Sequence, residues 1–426
     1  MAELLPQRWI GNMDGHGLSR RDRSSGTYHA YLPDPLAGRS IVLAGDTAAD
    51  VADAEVAVAR LDAEAKALVE TEVLSRLLLR AEAIASSRIE GLEIEVRRLL
   101  RAEAARDLEG DSSDVTAIEV LANIDAMAVA TTAVGSGGVI TEEILLEVHR
   151  RLLAGTRPAR YGGRWRTEQN WIGGSSFNPC SAEFVPPPAT YVPELMYDLI
   201  DFCNSDDLPA IAQAAIAHAQ FETIHPFVDG IGRTGRALIH LVLRRRGAVG
   251  RVVAPVSLVL DTWSDSYIDG LNRYRHLGSA DSKQAVENVN TWIARFAAAC
   301  SRAAADAAGF EVNAAKLESD WRARLGSVRA NSTLDRLLGK LVGAAILTAS
   351  TAASLTGRSF PAANAAVERL VDAGILRQLS VGRRNRAFES PEVISAFTAL
   401  ERPLASPAGD TRTSEPKRPV PRRPAK

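Results

Sequence analysis

Hydrophobic positions recur with a helical period over much of the chain. From Asp50 to Arg80, Val51, Val58, Leu61, Leu68, Val69, Val73 and Leu77 fall at separations near multiples of 3.6 among Ala, Glu and Arg, which predicts a long amphipathic helix beginning near Thr47. The period returns from Ser113 to Ala133, with Val115, Ile118, Leu121, Ile124 and Met127 on one side. It returns again from Thr141 to Ala154, where Thr141 and Glu143 suit a helix start, and the Gly135 to Gly138 cluster separates the two. Tyr191 to Cys203 and Pro209 to Thr223 predict two further helices, the second rich in alanine with a face of Ile211, Ala214, Ala215 and Phe221. Beyond a Gly-x-Gly step the helical pattern runs to about Arg246. Val252 to Leu260 is a buried apolar run, Asp261 to Arg275 is helical with Tyr267 and Tyr274, and Ser282 to Ala308 is long and amphipathic. A connecting helix is expected from Glu311 to Arg329.

Three stretches depart from this period. Gly11 to Leu43 is polar and irregular, with Ile41-Val42-Leu43 as a short strand candidate. From Tyr161 to Pro188, Gly162, Gly163, Gly173, Gly174 and Pro186-Pro187-Pro188 punctuate short β-like runs at Trp165, Trp171-Ile172 and Phe184-Val185, a hairpin signal. Thr333 to Phe397 has helices at Leu334 to Val342, Thr348 to Leu355 and Pro361 to Asp372, then a two-stranded wing from Gln378 to Phe388 turning at Gly382. This order resembles a winged helix-turn-helix. The expected fold class is therefore all-α, with a β-hairpin flap on a helical body and a small C-terminal winged helix-turn-helix domain. Its expected divisions are an arm (1–46), an N-terminal helical region (47–112), a core (113–308), a connector (309–330), the winged-helix-like domain (331–400) and a Pro/Arg-rich disordered tail (401–426).

Composition narrows the possible chemistry. A formal charge of −2 and a pI near 6.4 give no whole-protein attraction to nucleic acid or to an anionic membrane. Cys180, Cys203 and Cys300 are too few and too scattered for a disulfide framework or a zinc site. No apolar leader occupies Met1 to Arg20, and no run approaches the roughly 18 apolar residues of a membrane span. A reducing cytoplasm is the expected setting, with no membrane partner. In the winged-helix-like domain the third helix offers Arg369 beside Glu368 and Asp372, and the wing offers Arg377, Arg383, Arg384 and Arg386. DNA binding is less favoured than docking a partner or pairing protomers as a homodimer.

The chemistry concentrates in one stretch, His225-Pro226-Phe227-Val228-Asp229-Gly230-Ile231-Gly232-Arg233-Thr234-Gly235-Arg236. Gly230 and Gly232 permit positive φ and a close backbone approach to an anion, and the following helix aims its N-terminal amides at the same point. Arg233 and Arg236 share a helix face and suit phosphate oxygens. Asp229 is a hard oxygen ligand of the kind magnesium takes, His225 supplies the side-chain type able to take a proton near neutral pH as a general base must, and Phe227 should bury its ring as an anchor. The stretch closely resembles the signature His-Pro-Phe-x-Asp/Glu-Gly-Asn-Gly-Arg-x-x-Arg of the Fic (Fido) family, with Ile231 in place of Asn. The resemblance implies transfer of AMP from MgATP to a Ser, Thr or Tyr hydroxyl of a protein. It assigns His225 as catalytic base and Asp229 as metal ligand. Asp229, Gly230, Ile231, Gly232, Arg233, Thr234, Gly235 and Arg236 would surround ATP, with Tyr267 against the adenine or in the core. His218 reads as a core histidine.

A second motif lies upstream. Ser86-Ser87-Arg88-Ile89-Glu90-Gly91 places Ser86 and Glu90 one helical turn apart before a glycine stop. It resembles the family's inhibitory Ser/Thr-x-x-x-Glu-Gly/Asn motif, which implies that Glu90 pairs with Arg236 and blocks the γ-phosphate position. The 161–188 flap would pair with an extended segment of the target protein. Two other functions stay open: a nucleotide-binding protein without turnover, which Ile231 favours, and a DNA-binding regulator. Isoleucine offers no side-chain donor, and its β-branch resists positive φ if residue 231 must adopt it.

Overall fold

Helices dominate the fold, as the period predicts, in a computed structural model that describes residues 1–11, 17–67, 71–109, 114–250, 252–381 and 385–401. In chain order the elements are β1 (Glu3–Trp9), α1 (Arg20–Arg23), β2 (Gly26–Leu32), α2 (Gly45–Ala67), α3 (Thr71–Ile89), α4 (Val96–Glu109), α5 (Val115–Thr132), α6 (Glu142–Leu153), α7 (Val192–Asn204), α8 (Ala210–Ile224) and α9 (Ile231–Arg245). They continue with α10 (Val256–Thr262), α11 (Ser264–Tyr274), α12 (Lys283–Leu325), α13 (Thr333–Leu341), β3 (Ile346–Thr348), α14 (Ala349–Thr356), α15 (Phe360–Asp372), β4 (Arg377–Val381), β5 (Asn385–Glu389) and α16 (Pro391–Glu401). They gather into two compact units. One comprises Met1–Glu55, Ala126–Ala248 and Asp265–Ala298, the other Val56–Asp125, Val249–Ser264 and Ala299–Lys426.

Alanine sets the centre of the first unit. Every residue of α8 is buried, and its small side chains let α9 approach closely. Gly235 is the contact point, since a Cβ there would collide with Glu222 Oε1 and lie 3.0 Å from Phe221 Cδ1. Trp292 closes the same core and donates its indole N–H to the Ala215 carbonyl at 2.8 Å. Around this lies a two-stranded antiparallel sheet, β1 with β2, in which Glu3 faces Leu32 and Trp9 faces Gly26. The irregular arm expected here is thus partly strand, and Ile41-Val42-Leu43 is not a strand. The Val42 carbonyl and the Ala44 N–H bond to the side chain of Asn290 instead of a neighbouring strand. The flap closes through a bridge between Ile172 and Phe184, with the Ile172 N–H on the Phe184 carbonyl at 2.8 Å. Gly173 and Gly174, at φ 74° and 70°, turn the chain directly after the bridge, so it does not extend into a ladder.

In the second unit, α3 packs on α10. Glu82 is fully buried on α3 and accepts the Ser257 N–H (2.8 Å) and hydroxyl (2.6 Å) at the first turn of α10, where a helix dipole favours a carboxylate. Of the helix expected from Asp50 to Arg80, the stretches on either side of 68–70 are helical, in α2 and α3, and 68–70 lie outside the described residues. At α12 a single helix runs through Gly309 where two were expected. Burial of Ala307 and Phe310 on either side outweighs the roughly 1 kcal/mol that glycine costs. Contrary to expectation, Val115–Thr132 has the length and mean hydropathy (1.3) of a membrane crossing. Here its Ala117, Val120 and Leu121 are buried, and Asn123 bonds to α3.

The last stretch places β3, β5 and β4 side by side, all antiparallel, after α13, α14 and α15. β3 and α16 escaped the sequence reading. α16 packs on α3 and α4, and Glu389, fully buried on β5, is paired with Arg97 of α4 at 3.2 Å and with Arg377. Arg377, on the wing strand β4 and half exposed, is thus paired with a buried carboxylate of its own unit. Gly382, Arg383 and Arg384 lie outside the described residues, as does 402–426.

Candidate functional site

All of the loop His225 to Arg236 lies in the first unit, between the end of α8 and α9. Helix α8 ends because His225 takes the left-handed conformation (φ 52°, ψ 59°) while its N–H still bonds to the Phe221 carbonyl at 2.9 Å. For a residue with a Cβ this costs about 1–2 kcal/mol, so the surroundings must impose it. The His225 ring is half-buried, and its Nδ1 lies 3.4 Å from the Glu222 carbonyl. A carbonyl can only accept, so this contact favours the tautomer with its proton on Nδ1 and the basic lone pair on Nε2.

Phe227 fastens the middle of the loop. Its ring is fully buried, stacked on His149 (3.5 Å between centroids, 14°) and on Trp165 (4.9 Å). Gly230 then caps α9 at φ 71°. Gly232 does not share that conformation. It sits inside the first turn of α9, where helical φ is already required, so the expected pair of left-handed glycines is a single one. Ile231 is likewise the first residue of α9, 8% exposed, with no positive φ to resist. The β-branch therefore leaves the backbone unstrained. Amides of the first turn of α9 lack intrahelical acceptors and point past Gly230, the arrangement that binds anions at helix starts.

Asp229 is partly exposed, with Oδ1 3.6 Å from Arg233 Nη2. Among the described residues no three acidic, His or Cys side chains gather as a metal cage. A magnesium ion here would rest on the one carboxylate of Asp229 plus phosphate oxygens and waters, a donor set this ion commonly accepts. Arg233 and Arg236 are buried on α9. Thr234, Gly235 and Tyr267 hold structural posts. The Thr234 hydroxyl returns to the Gly230 carbonyl at 2.9 Å, and Gly235 faces α8. Tyr267 is 6% exposed with its hydroxyl 2.9 Å from His218 Nε2, so it belongs to the core and not to an open adenine face. Burial pushes the His218 imidazole down to about 3, and it stays neutral.

Three residues near the flap were not anticipated. Arg166, 3% exposed, sends Nε to the His225 carbonyl (2.8 Å) and Nη1 to Glu168 (3.0 Å). Its Nη2 reaches the carbonyls of Pro187 (2.5 Å) and Ile224 (3.4 Å). Burial lowers its guanidinium to about 10, which leaves it charged at neutral pH. Asn170 donates to the Phe227 carbonyl at 2.9 Å. His149 accepts the Gly163 N–H on Nδ1 (3.1 Å), so its Nε2–H donates to the Asp229 carbonyl at 3.0 Å. Burial pushes His149 down to about 4 and keeps it neutral. Their partners are backbone carbonyls, which any residue supplies, so no sequence motif announces them.

The upstream motif lies in the second unit. Helix α3 ends at Ile89, and Gly91 (φ 81°) closes it, with the Leu92 N–H on Ser87 (3.0 Å) and the Gly91 N–H on Arg88 (2.9 Å). Ser86 and Ser87 are buried, the Asn123 amide donates to the Ser87 hydroxyl at 3.0 Å, and Glu90 is an exposed turn residue. This end of α3 is thus fixed by backbone and by α5, which gives the Glu90 side chain a defined base.

Gly230→Ala is expected to lower ATP affinity on the order of tenfold or more. The added Cβ would sit 2.8 Å from Leu152 Cδ2, and the left-handed conformation adds strain of about 1–3 kcal/mol. Calorimetric titration with ATP checks this, and an unchanged affinity would remove the capping glycine from the phosphate site.

The Fic/DOC family pattern matches residues 139–243, which contain the loop and flap, and the Fic/DOC family N-terminal pattern matches 48–132, which contain the Glu90 motif. The chain is 32% identical over 157 residues to the protein adenylyltransferase fic-1 of Caenorhabditis elegans, covering 36% of this chain and 29% of that one. It is 38% identical over 111 residues to the protein adenylyltransferase Fic of Drosophila willistoni, covering 25% of this chain and 20% of that one. Less than a third of the length of these relatives is therefore spanned. Among solved structures it is similar to a Fic family protein from Desulfovibrio desulfuricans G20 (20% identity, TM-score 0.49, covering 84% of this chain and 98% of that one).

Proposed function

We propose that this chain, which carries the Fic/DOC family pattern over 139–243 and the family's N-terminal pattern over 48–132, is a protein adenylyltransferase, moving AMP from ATP to a Ser, Thr or Tyr hydroxyl of a target protein. The observation that carries this reading is the loop itself. A left-handed His225, its Nδ1 facing the Glu222 carbonyl, stands on the same short turn as the amide start of α9. In the reaction the target oxygen bonds to the α-phosphorus while the bond to the β-phosphate oxygen breaks. Pyrophosphate leaves, and the hydroxyl proton passes to His225 Nε2. The first-turn amides of α9 with Arg233 and Arg236 stabilise the charge that develops. Asp229 would hold a magnesium ion, which supplies further charge neutralisation when bound. The flap, closed by the bridge at Ile172 and Phe184, is read as the place where an extended target segment docks.

Glu90 is read as a restraint on transfer, as the inhibitory motif that it resembles implies. What supports it is its place on a rigidly capped helix end. Glu90→Gly should raise transfer of label from ATP, self-modification included, by roughly 5- to 150-fold, the span of a coupling of about 1–3 kcal/mol. Equal rates at equal ATP affinity would return Glu90 to a helix-capping turn. Transfer by neither protein, with ATP still bound, would favour a nucleotide-binding protein without turnover. The DNA-binding reading is weakened by Arg377, which is committed to Glu389.

A further inference from the structure

The catalytic loop does not hold itself. His225 has an unfavourable backbone conformation, and the carbonyls of residues 224 to 229 would otherwise be free to turn toward the phosphate side, where they would repel an anion. In the structure those of 224, 225, 226, 227 and 229 are held by donors of the flap and its root. The Arg166 N–H holds the Pro226 carbonyl at 2.9 Å, its guanidinium holds Ile224 and His225, Asn170 holds Phe227, and His149 holds Asp229. Arg166 and Asn170 belong to the leading side of the flap, and His149 is tied to its root at Gly163. Trp165, stacked on Phe227, is itself anchored by its indole N–H on Glu142 at 2.7 Å.

We propose that the root of the flap is a positioning device for the transfer reaction, with Arg166 setting His225 and His149 setting Asp229. This rests on the adenylyltransferase reading and adds to it. A target segment docking on the flap engages the same piece of chain that fixes the base, so docking and catalytic geometry share one hydrogen-bond network. Arginine is required because its planar fork serves carbonyls at residues 168, 187, 224 and 225 at once, whereas lysine presents a compact ammonium. At 149 the two ring nitrogens have separate duties that amide side chains can divide. Asn presents its amide near the Nδ1 position, and Gln near the Nε2 position.

The test uses the full chain in the Glu90→Gly background with labelled ATP. Arg166→Ala and Arg166→Lys are expected to bind ATP within about threefold of the parent yet lose on the order of 100-fold in single-turnover transfer, as for a reacting group misplaced by about 1 Å. Guanidinium chloride should restore part of the loss in Arg166→Ala, and methylammonium should not. His149→Asn should raise the magnesium concentration needed for half-maximal ATP binding on the order of tenfold, with His149→Gln less affected. Parent-like transfer in both Arg166 variants would overturn the proposal, as would parallel loss of ATP binding without guanidinium rescue at an unchanged melting temperature. If no protein in the series transfers AMP, the enzyme reading fails separately. The positioning claim is then decided by nitrogen-15 spectra of the histidines: His225 resonances displaced in Arg166→Ala and returned by guanidinium support it, and unmoved resonances refute it.

Discussion

His225→Ala should cut AMP transfer by on the order of 100- to 10,000-fold, the contribution of a positioned general base, while ATP binds within a few-fold of the parent. The separation follows from the geometry. The imidazole hangs on the C-cap of α8, whereas the groups suited to phosphate belong to Asp229, Gly230 and the first turn of α9. Removing the ring also removes the contact of Nδ1 with the Glu222 carbonyl, which is long at 3.4 Å and adds little to the fold. Alanine keeps a Cβ, so the left-handed strain stays the same and stability should change little. Single-turnover transfer and calorimetric ATP binding, measured on the same preparation, check both halves. Transfer persisting at the parent rate would remove His225 as the base. Loss of binding in step with transfer would make the ring part of the phosphate cradle.

The contiguous half of the site was legible because its chemistry is carried by neighbours in sequence. An imidazole, a carboxylate, a glycine turn and two arginines three apart are visible without a structure. What the glycines do was not legible. Gly230 and Gly232 look alike in sequence, but α9 starts at Ile231, so one is a left-handed cap and the other a helical residue. The supporting half was hidden for a different reason. Arg166 and His149 act on backbone carbonyls far away in sequence, and nothing in the helix from Thr141 to Ala154 marks His149, whose ring is fully buried. Tyr267 shows the same limit from the other side, since an aromatic near the expected place was committed to His218 in the core.

The fold divides similarly. Helices bounded by glycine or capped by a side chain, such as α6 behind Thr141, were readable to within a residue or two. The β1–β2 pair was not. Its alternation is interrupted by Leu4 beside Leu5 and by charged Glu3 and Arg8, and it is held by long-range bonds such as the Tyr31 N–H on the Val185 carbonyl at 2.8 Å. Burial of Phe310 carried α12 through a glycine that local propensity would have used as a stop.

Ile231→Asn is the change expected to increase activity most. The structure separates two ways in which isoleucine could harm the site. Had residue 231 been left-handed, the β-branch would have distorted the whole anion cradle, and nucleotide binding would suffer with turnover. Instead Gly230 takes the left-handed position and Ile231 opens α9 in helical conformation, so the backbone amides keep their direction. On the proposed reading any deficit is then confined to the side chain, an apolar group where the family signature has an amide able to donate to an oxygen of the transferring phosphate. Losing one such donor costs on the order of 100- to 1,000-fold in rate, and restoring it should recover most of that. Asn is also no poorer than Ile by more than a few tenths of a kcal/mol at a helix start, and its amide can meet solvent or phosphate at a position 8% exposed. In the Glu90→Gly background, single-turnover transfer should therefore rise steeply while ATP affinity moves by less than about tenfold, because uniform binding is not what the donor supplies. A gain in affinity matched by no gain in rate would show the amide acting on the ground state. No change in either would mean that the oxygen of the transferring phosphate is served by the α9 amides alone, and that Ile231 is a native residue of a working site.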